Sequence, residues 1–167
     1  MNANRKAFLD TLAWAEGTST SPATKNQGFD VIVTGYDGKP EIFTDYSNHP
    51  FAGGRLPKLV NIRGLMSTAS GRYQFLVRDW NHYRKMLNLP DFGPASQNRW
   101  AIQLIKERGA LPDIDAGRFE TAVKKVRNIW ASLPGAGYGQ PERKLDDLRH
   151  VYLDAGGVLE LRGMIPG

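Results

Sequence analysis

The sequence predicts an α+β fold, mostly helical, with one small β-hairpin in the first third of the chain. Three observations carry that expectation. Apolar residues recur at intervals of three and four in five separate stretches. One short run, Phe29-Asp30-Val31-Ile32-Val33, is followed by turn residues and a second short apolar run. The 167 residues are 41% hydrophobic and 23% charged, the ordinary balance of a globular chain. That length suits one domain spanning residues 1–167.

The elements follow in order. A first helix is expected over residues 4–15, where Phe8, Leu9 and Leu12 share a face and Gly17 is a natural stop. Residues 18–28 read as a polar loop rich in Ser and Thr. Residues 29–33 read as a strand, Tyr36-Asp37-Gly38-Lys39 as a turn, and Glu41-Ile42-Phe43-Thr44 as the return strand. Residues 48–66 contain Gly and Pro and show little periodicity; loops of that length in compact domains are functional or mobile. Tyr73, Leu76, Trp80, Tyr83 and Leu87 mark a second helix, and a third is expected over 95–108, stopped by Gly109. Phe119, Ala122, Val126, Ile129 and Leu133 mark a fourth, broken by Pro134-Gly135. Leu145, Leu148, Tyr152 and Ala155 mark a fifth, closed by Gly156-Gly157. Trp80 and Trp130 fall on these apolar stripes and are expected in the core.

The formal net charge of +5 favours an anionic partner: nucleic acid, a membrane surface or a cell-wall polymer. No run of five like charges and no nucleic-acid module is present, so nucleic acid is not an expected partner. Without cysteine there is no disulfide and no thiolate metal site. His49, His82 and His150 are scattered, so neither metal nor cofactor is expected. The N-terminal segment lacks an apolar export core and no run reaches membrane-spanning length. A cytosolic product without stable membrane insertion is expected.

One carboxylate stands out. At 100° per residue Glu16 falls in line with Leu9 and Leu12, away from the face that carries Lys6 and Asp10. Burial disfavours a carboxylate's charged form, and the negative end of a helix acts in the same direction. Both would suit a general acid. The residue pattern by itself favours the plainer reading, a helix-end Glu turned into water beyond Gly17.

The run Arg5-Lys6-Ala7-Phe8-Leu9-Asp10-Thr11-Leu12-Ala13-Trp14-Ala15-Glu16-Gly17-Thr18 resembles the start of the lambda-type phage endolysins, which are lytic transglycosylases. Further segments are similar in the same order: Gly28-Phe29-Asp30-Val31-Ile32-Val33, Phe43-Thr44-Asp45-Tyr46-Ser47, Ser70-Gly71-Arg72-Tyr73-Gln74, Ile105-Lys106-Glu107-Arg108-Gly109-Ala110-Leu111-Pro112 and Ile129-Trp130-Ala131-Ser132-Leu133-Pro134-Gly135-Ala136-Gly137-Tyr138-Gly139-Gln140. The likeness runs from Arg5 to about Gly157. It implies a lysozyme-like fold with a sheet flanking a glycan-binding cleft, and a catalytic acid/base at Glu16. The substrate it implies is peptidoglycan, cut between N-acetylmuramic acid and N-acetylglucosamine. It further implies a monomer, made in the host cytoplasm, that reaches the periplasmic wall through a membrane holin.

Classical glycosidases use two carboxylates. Asp30, Asp37, Glu41 and Asp45 are the candidates for a second one, which would make the protein a hydrolytic muramidase. The resemblance implies another route, in which the sugar's own 6-hydroxyl closes a 1,6-anhydro ring and no second carboxylate is needed. It also implies sugar contacts from Ser70, Tyr73 and Gln74, where Ser70 is expected near a helix cap, and from Tyr138 and Gln140 on a Gly-rich lip. Tyr73 equally begins the second helix's apolar stripe. The stretch from His49 to Lys58 departs from the family's pattern. Arg55, Lys58 and Arg63 there are either ligands for glycan carboxylates or plain solvated charges.

Overall fold

The computed structural model describes residues 1–161. In chain order its elements are α1 (Ala3–Ala15), β1 (Val31–Ile32), β2 (Glu41–Ile42), β3 (Lys58–Leu59), β4 (Met66–Ser67), α2 (Val77–Leu87), α3 (Pro94–Glu107), α4 (Leu111–Ala116), α5 (Phe119–Val126) and α6 (Leu145–Asp154). They form two compact units along the chain: Met1–Ala15 with the chain from Ile102 onward, and Glu16–Ala101.

The first unit is helical. The stripe on α1 that includes Phe8, Leu9 and Leu12 is buried against α4 and α6. Phe8 meets Phe119 edge-on at 5.9 Å, and Phe119 stacks on Tyr152 at 4.6 Å, so one aromatic column joins α1, α5 and α6. Asn4 fixes the start of α1 by donating to the Ile114 carbonyl at 3.0 Å and accepting from the Val158 amide at 2.9 Å.

The second unit holds both sheets and an aromatic core. Phe75 stacks on Trp100 at 4.0 Å; Trp80, Tyr83 and Phe92 surround the same indole. The predicted hairpin exists as the antiparallel pair β1–β2, in register Val31 with Ile42 and Ile32 with Glu41. Val31 and Ile32 are both buried, as suits a strand covered on two sides.

Four differences from the sequence expectation have physical causes. Helix α2 starts at Val77, not Tyr73, because Gly71 and Gln74 both take positive φ (81° and 55°), which a right-handed helix excludes. Residues 70–75 instead form a tight turn closed by an antiparallel bridge between Ser70 and Phe75. Helix α5 ends at Val126; Trp130 and Leu133 are buried as their spacing suggested, but successive turns place them there. Helix α4 and the pair β3–β4 were not expected, since six residues and two-residue strands are too short for a periodic signal. The long loop of residues 48–66 therefore contains a hairpin. Among the described residues no helix is long and apolar enough to cross a membrane.

Candidate active site

Glu16 lies one residue beyond the last helical residue of α1 and is half-buried. The chain turns at once: Gly17 takes φ 75°, a conformation that favours glycine. Thr18 is buried, and its hydroxyl donates to the Arg72 carbonyl at 2.6 Å. The segment leaving Glu16 is thereby fastened to the turn of residues 70–75. Gly28 packs so closely on the Thr18–Ser19 backbone that a Cβ would lie 2.8 Å from the Thr18 carbonyl carbon. Backbone contact on that side fixes where Thr18 can sit.

The 70–75 turn is held from three directions. The Gly71 amide donates to the Val31 carbonyl at 2.8 Å, tying the turn to β1. The Arg72 amide donates to the Gln97 side chain at 2.9 Å, and the Gln97 amide in turn donates to the Phe29 and Phe92 carbonyls. The Arg72 guanidinium donates to the Gln27 carbonyl at 3.0 Å and lies 5.1 Å over the Phe29 ring. Gln97 is fully buried and satisfies otherwise orphaned backbone groups on both sides.

Two of the residues expected to meet sugar are buried within this turn. Ser70 does not cap a helix: it is 0% exposed and its hydroxyl donates to the Thr68 carbonyl. Tyr73 is also 0% exposed, packed edge-on against Phe29 with its hydroxyl donating to Asn98 at 2.6 Å. Both side chains thereby help to hold the turn. Gln74 differs, being half-buried in a left-handed conformation with its amide donating to the Gly71 carbonyl at 3.0 Å.

The four candidates for a second carboxylate lie in the same unit as Glu16, and each is engaged. Asp30 is buried and accepts from the Thr24 hydroxyl and the Lys25 amide, which shapes the loop before β1. Glu41 accepts both guanidinium nitrogens of Arg55 at 2.7 Å and the Lys58 ammonium at 3.0 Å. The Arg55 hydrogen bonds, followed by that of Lys58, outweigh desolvation and bring its pKa down to about 2. Asp45 and Asp37 are exposed and accept from the Ser47 and Lys39 amides of their own turns. Hydrogen bonds from Ser47 lower the Asp45 pKa.

Within the other unit, the Gly-rich segment after Leu133 is organised by Glu142. Its carboxylate accepts the Gly137 and Gly135 amides at 3.0 and 2.9 Å, and these bonds lower its pKa. Tyr138 exposes its ring while its hydroxyl donates to the Asn128 carbonyl at 2.6 Å; Gln140 is exposed. Arg143 reaches back to the end of α1, donating to the Ala15 carbonyl at 3.1 Å with its guanidinium 4.5 Å over Trp14. A cation on terminal carbonyls stabilises a helix end.

Sequence reasoning missed Thr18, Arg72, Gln97, Glu142 and Arg143. Thr18 and Arg72 stand inside segments that resembled the family, which was the available signal. Nothing in the spacing marks Gln97 as the bridge between two backbones. Among the described residues no group of three His, Asp or Glu side chains is placed to hold a metal ion.

A half-buried Glu at a helix end, leading into a segment tied through a tight turn to a small antiparallel sheet, defines a lysozyme-like protein. A family model described as Endolysin matches residues 6–159, and the chain belongs to that family. It is 67% identical over 155 residues to the endolysin of Escherichia phage P2, covering 93% of this chain and 94% of that protein. It is 53% identical over 161 residues to the endolysin of Escherichia phage lambda, covering 95% of each. Among solved structures it is similar to bacteriophage lambda lysozyme complexed with a chitohexasaccharide, with TM-score 0.86, 53% identity and coverage of 96% of this chain and 98% of that one. A second structure of lysozyme from bacteriophage lambda matches with TM-score 0.80 and 51% identity, over 96% of this chain and 98% of that one.

Proposed function

We propose that this endolysin cleaves peptidoglycan as a lytic transglycosylase, with Glu16 acting first as acid and then as base. The observation that carries the reading is the state of the four other candidate carboxylates. Asp30 is buried in loop hydrogen bonds, Glu41 is clamped by two cations, and Asp37 and Asp45 cap their own turns. Each is held by neighbouring donors, which supports a reaction that needs no second carboxylate over one that does.

In the proposed reaction Glu16 protonates the oxygen between N-acetylmuramic acid and N-acetylglucosamine, and that bond breaks. The glutamate then takes the proton of the muramic acid's 6-hydroxyl as its oxygen bonds to C1. The products are a 1,6-anhydro ring and a free 4-hydroxyl, with no water consumed. An internal nucleophile supplies the proximity that an enzyme must otherwise create. Glycan binding is supported by the lambda lysozyme relative, whose solved structure contains a chitohexasaccharide. Gln74, Tyr138 and Gln140 are the proposed sugar contacts, each with accessible polar atoms or ring surface. Ser70 and Tyr73 act through the turn that holds Gln74. The protein is proposed to work as a monomer that a holin releases to the wall.

Glu16→Gln tests the assignment. The variant keeps its fold by circular dichroism and loses wall-clearing activity by roughly a hundredfold or more, the scale of removing a general acid. Activity close to that of the parent protein would remove Glu16 from the mechanism.

A further inference from the structure

The last four carbonyls of an α-helix have no partner within it, and those of α1 stand immediately before Glu16. Arg143 meets two of them. Its Nε donates to the Ala15 carbonyl at 3.1 Å and its Nη2 to the Trp14 carbonyl at 3.3 Å. The guanidinium carbon lies 4.5 Å from the centre of the Trp14 ring. These contacts turn one planar, charged group toward a single helix end.

The backbone that carries this arm is itself held. The Arg143 amide donates to the Ser132 carbonyl at 2.7 Å, next to fully buried Leu133. Just before it, Glu142 accepts the Gly135 and Gly137 amides. Just after it, α6 begins at Leu145 and packs on α1. The guanidinium is therefore presented from a fixed base.

The consequence for Glu16 follows from the peptide bond. The Ala15 carbonyl and the Glu16 amide and Cα lie in one rigid plane. A hydrogen bond that fixes the Ala15 oxygen fixes the plane from which the Glu16 side chain departs. Beyond Glu16 the chain turns at Gly17 and is fastened through Thr18. Glu16 thus sits between two tethers, Arg143 before it and Thr18 after it. Arg143 is an exposed residue, so solvent screening leaves its contacts a small share in stability. Placement of a catalytic group is less forgiving, since a shift of about 1 Å costs up to about a hundredfold in rate. Those magnitudes separate a positioning role from simple support of the helix.

We propose that Arg143 is a positioning residue for proton transfer by Glu16, acting through the Ala15 carbonyl. The inference rests on Glu16 being the acid and base of the reaction. Arg143 works on the helix end and not on the glycan.

The test is steady-state kinetics of the full chain on soluble peptidoglycan strands, under conditions where circular dichroism shows every variant folded. Arg143→Ala should lower kcat about tenfold and leave KM within about twofold. Arg143→Lys keeps a cation at the carbonyls without the fork and should recover part of that loss. Lys144→Ala removes the neighbouring exposed charge and should leave both constants unchanged. A parent-like kcat in Arg143→Ala would overturn the proposal. So would a raised KM at unchanged kcat, which would make Arg143 a substrate contact. No recovery in Arg143→Lys would detach the effect from the held carbonyls, and an equal loss in Lys144→Ala would trace it to net charge; either result overturns it. Glu16→Gln keeps the two readings apart. If it is inactive while Arg143→Ala is unimpaired, only the role of Arg143 falls; if it is active, the assignment of Glu16 falls first.

Discussion

The Thr18 hydroxyl donates a 2.6 Å hydrogen bond to the Arg72 carbonyl, joining the residue two past Glu16 to the residue two before Gln74. Both groups are buried. The bond fixes the chain leaving the proposed catalyst against the turn that bears a proposed sugar contact. Thr18→Val keeps the shape and removes the donor, at a cost of about 1 kcal/mol, the net worth of one such hydrogen bond. Urea denaturation measures that loss, and kcat should fall further than stability explains. Thr18→Ser should recover most of both. Unchanged kcat in Thr18→Val would show that the turn is positioned without this bond.

Gly71 is the position in that turn least open to change. Its φ is 81°, and an added Cβ would overlap the Gln97 amide oxygen and lie 3.1 Å from the Phe92 ring. Gly71→Ala combines backbone strain of roughly 1–3 kcal/mol with displacement of Gln97, the bridge to Arg72, Phe29 and Phe92. A lowered denaturation midpoint together with reduced activity is expected.

Glu41 gives the hairpin an acid limit. Its folded pKa is lowered to about 2 from an ordinary 4.5, so the unfolded chain takes up the proton first as pH falls. The stabilisation is present above about pH 4.5 and is lost between there and about pH 2. The clamp is partly exposed, so solvent screening holds its worth to about 1 kcal/mol or less. The stability difference between the parent protein and Glu41→Gln should shrink across that window. A difference that stays constant would show that the clamp does not couple to folding.

His49 acts in a higher window. Its Nε2 donates to the Phe75 carbonyl at 2.8 Å and its Nδ1 accepts the Phe51 amide at 3.2 Å, so the ring is neutral and buried. Burial lowers its pKa below the usual 6.5, only partly opposed by the Phe75 bond. The unfolded chain therefore binds this proton first, and stability falls as pH drops below about 6.5. Urea midpoints between about pH 7 and about pH 5 should show that slope, and His49→Gln should flatten it.

The helical parts of the fold were legible because their burial repeats. Leu9 and Leu12 set a phase that places Glu16 on the same side, and the structure leaves Glu16 half-buried just past the helix. Trp130 and Leu133 show the limit of that signal, since burial at helical spacing is met here by turns. The 70–75 turn shows another. Tyr73 begins an apolar series, but positive φ at Gly71 and Gln74 forbids a helix, and no spacing rule reports that Gln74 takes such a conformation. Ser70 and Tyr73 point inward, which is decided by contacts with β1 and α3.

The most direct measurement is the chemistry of the cut end. Peptidoglycan digested by the purified protein in ¹⁸O-labelled water is read by mass spectrometry. The mechanism assigned to Glu16 predicts muropeptides ending in 1,6-anhydro-N-acetylmuramic acid, lighter than the hydrolysis product by one water and free of the label. Reducing ends carrying ¹⁸O would contradict it and make the protein a hydrolytic muramidase.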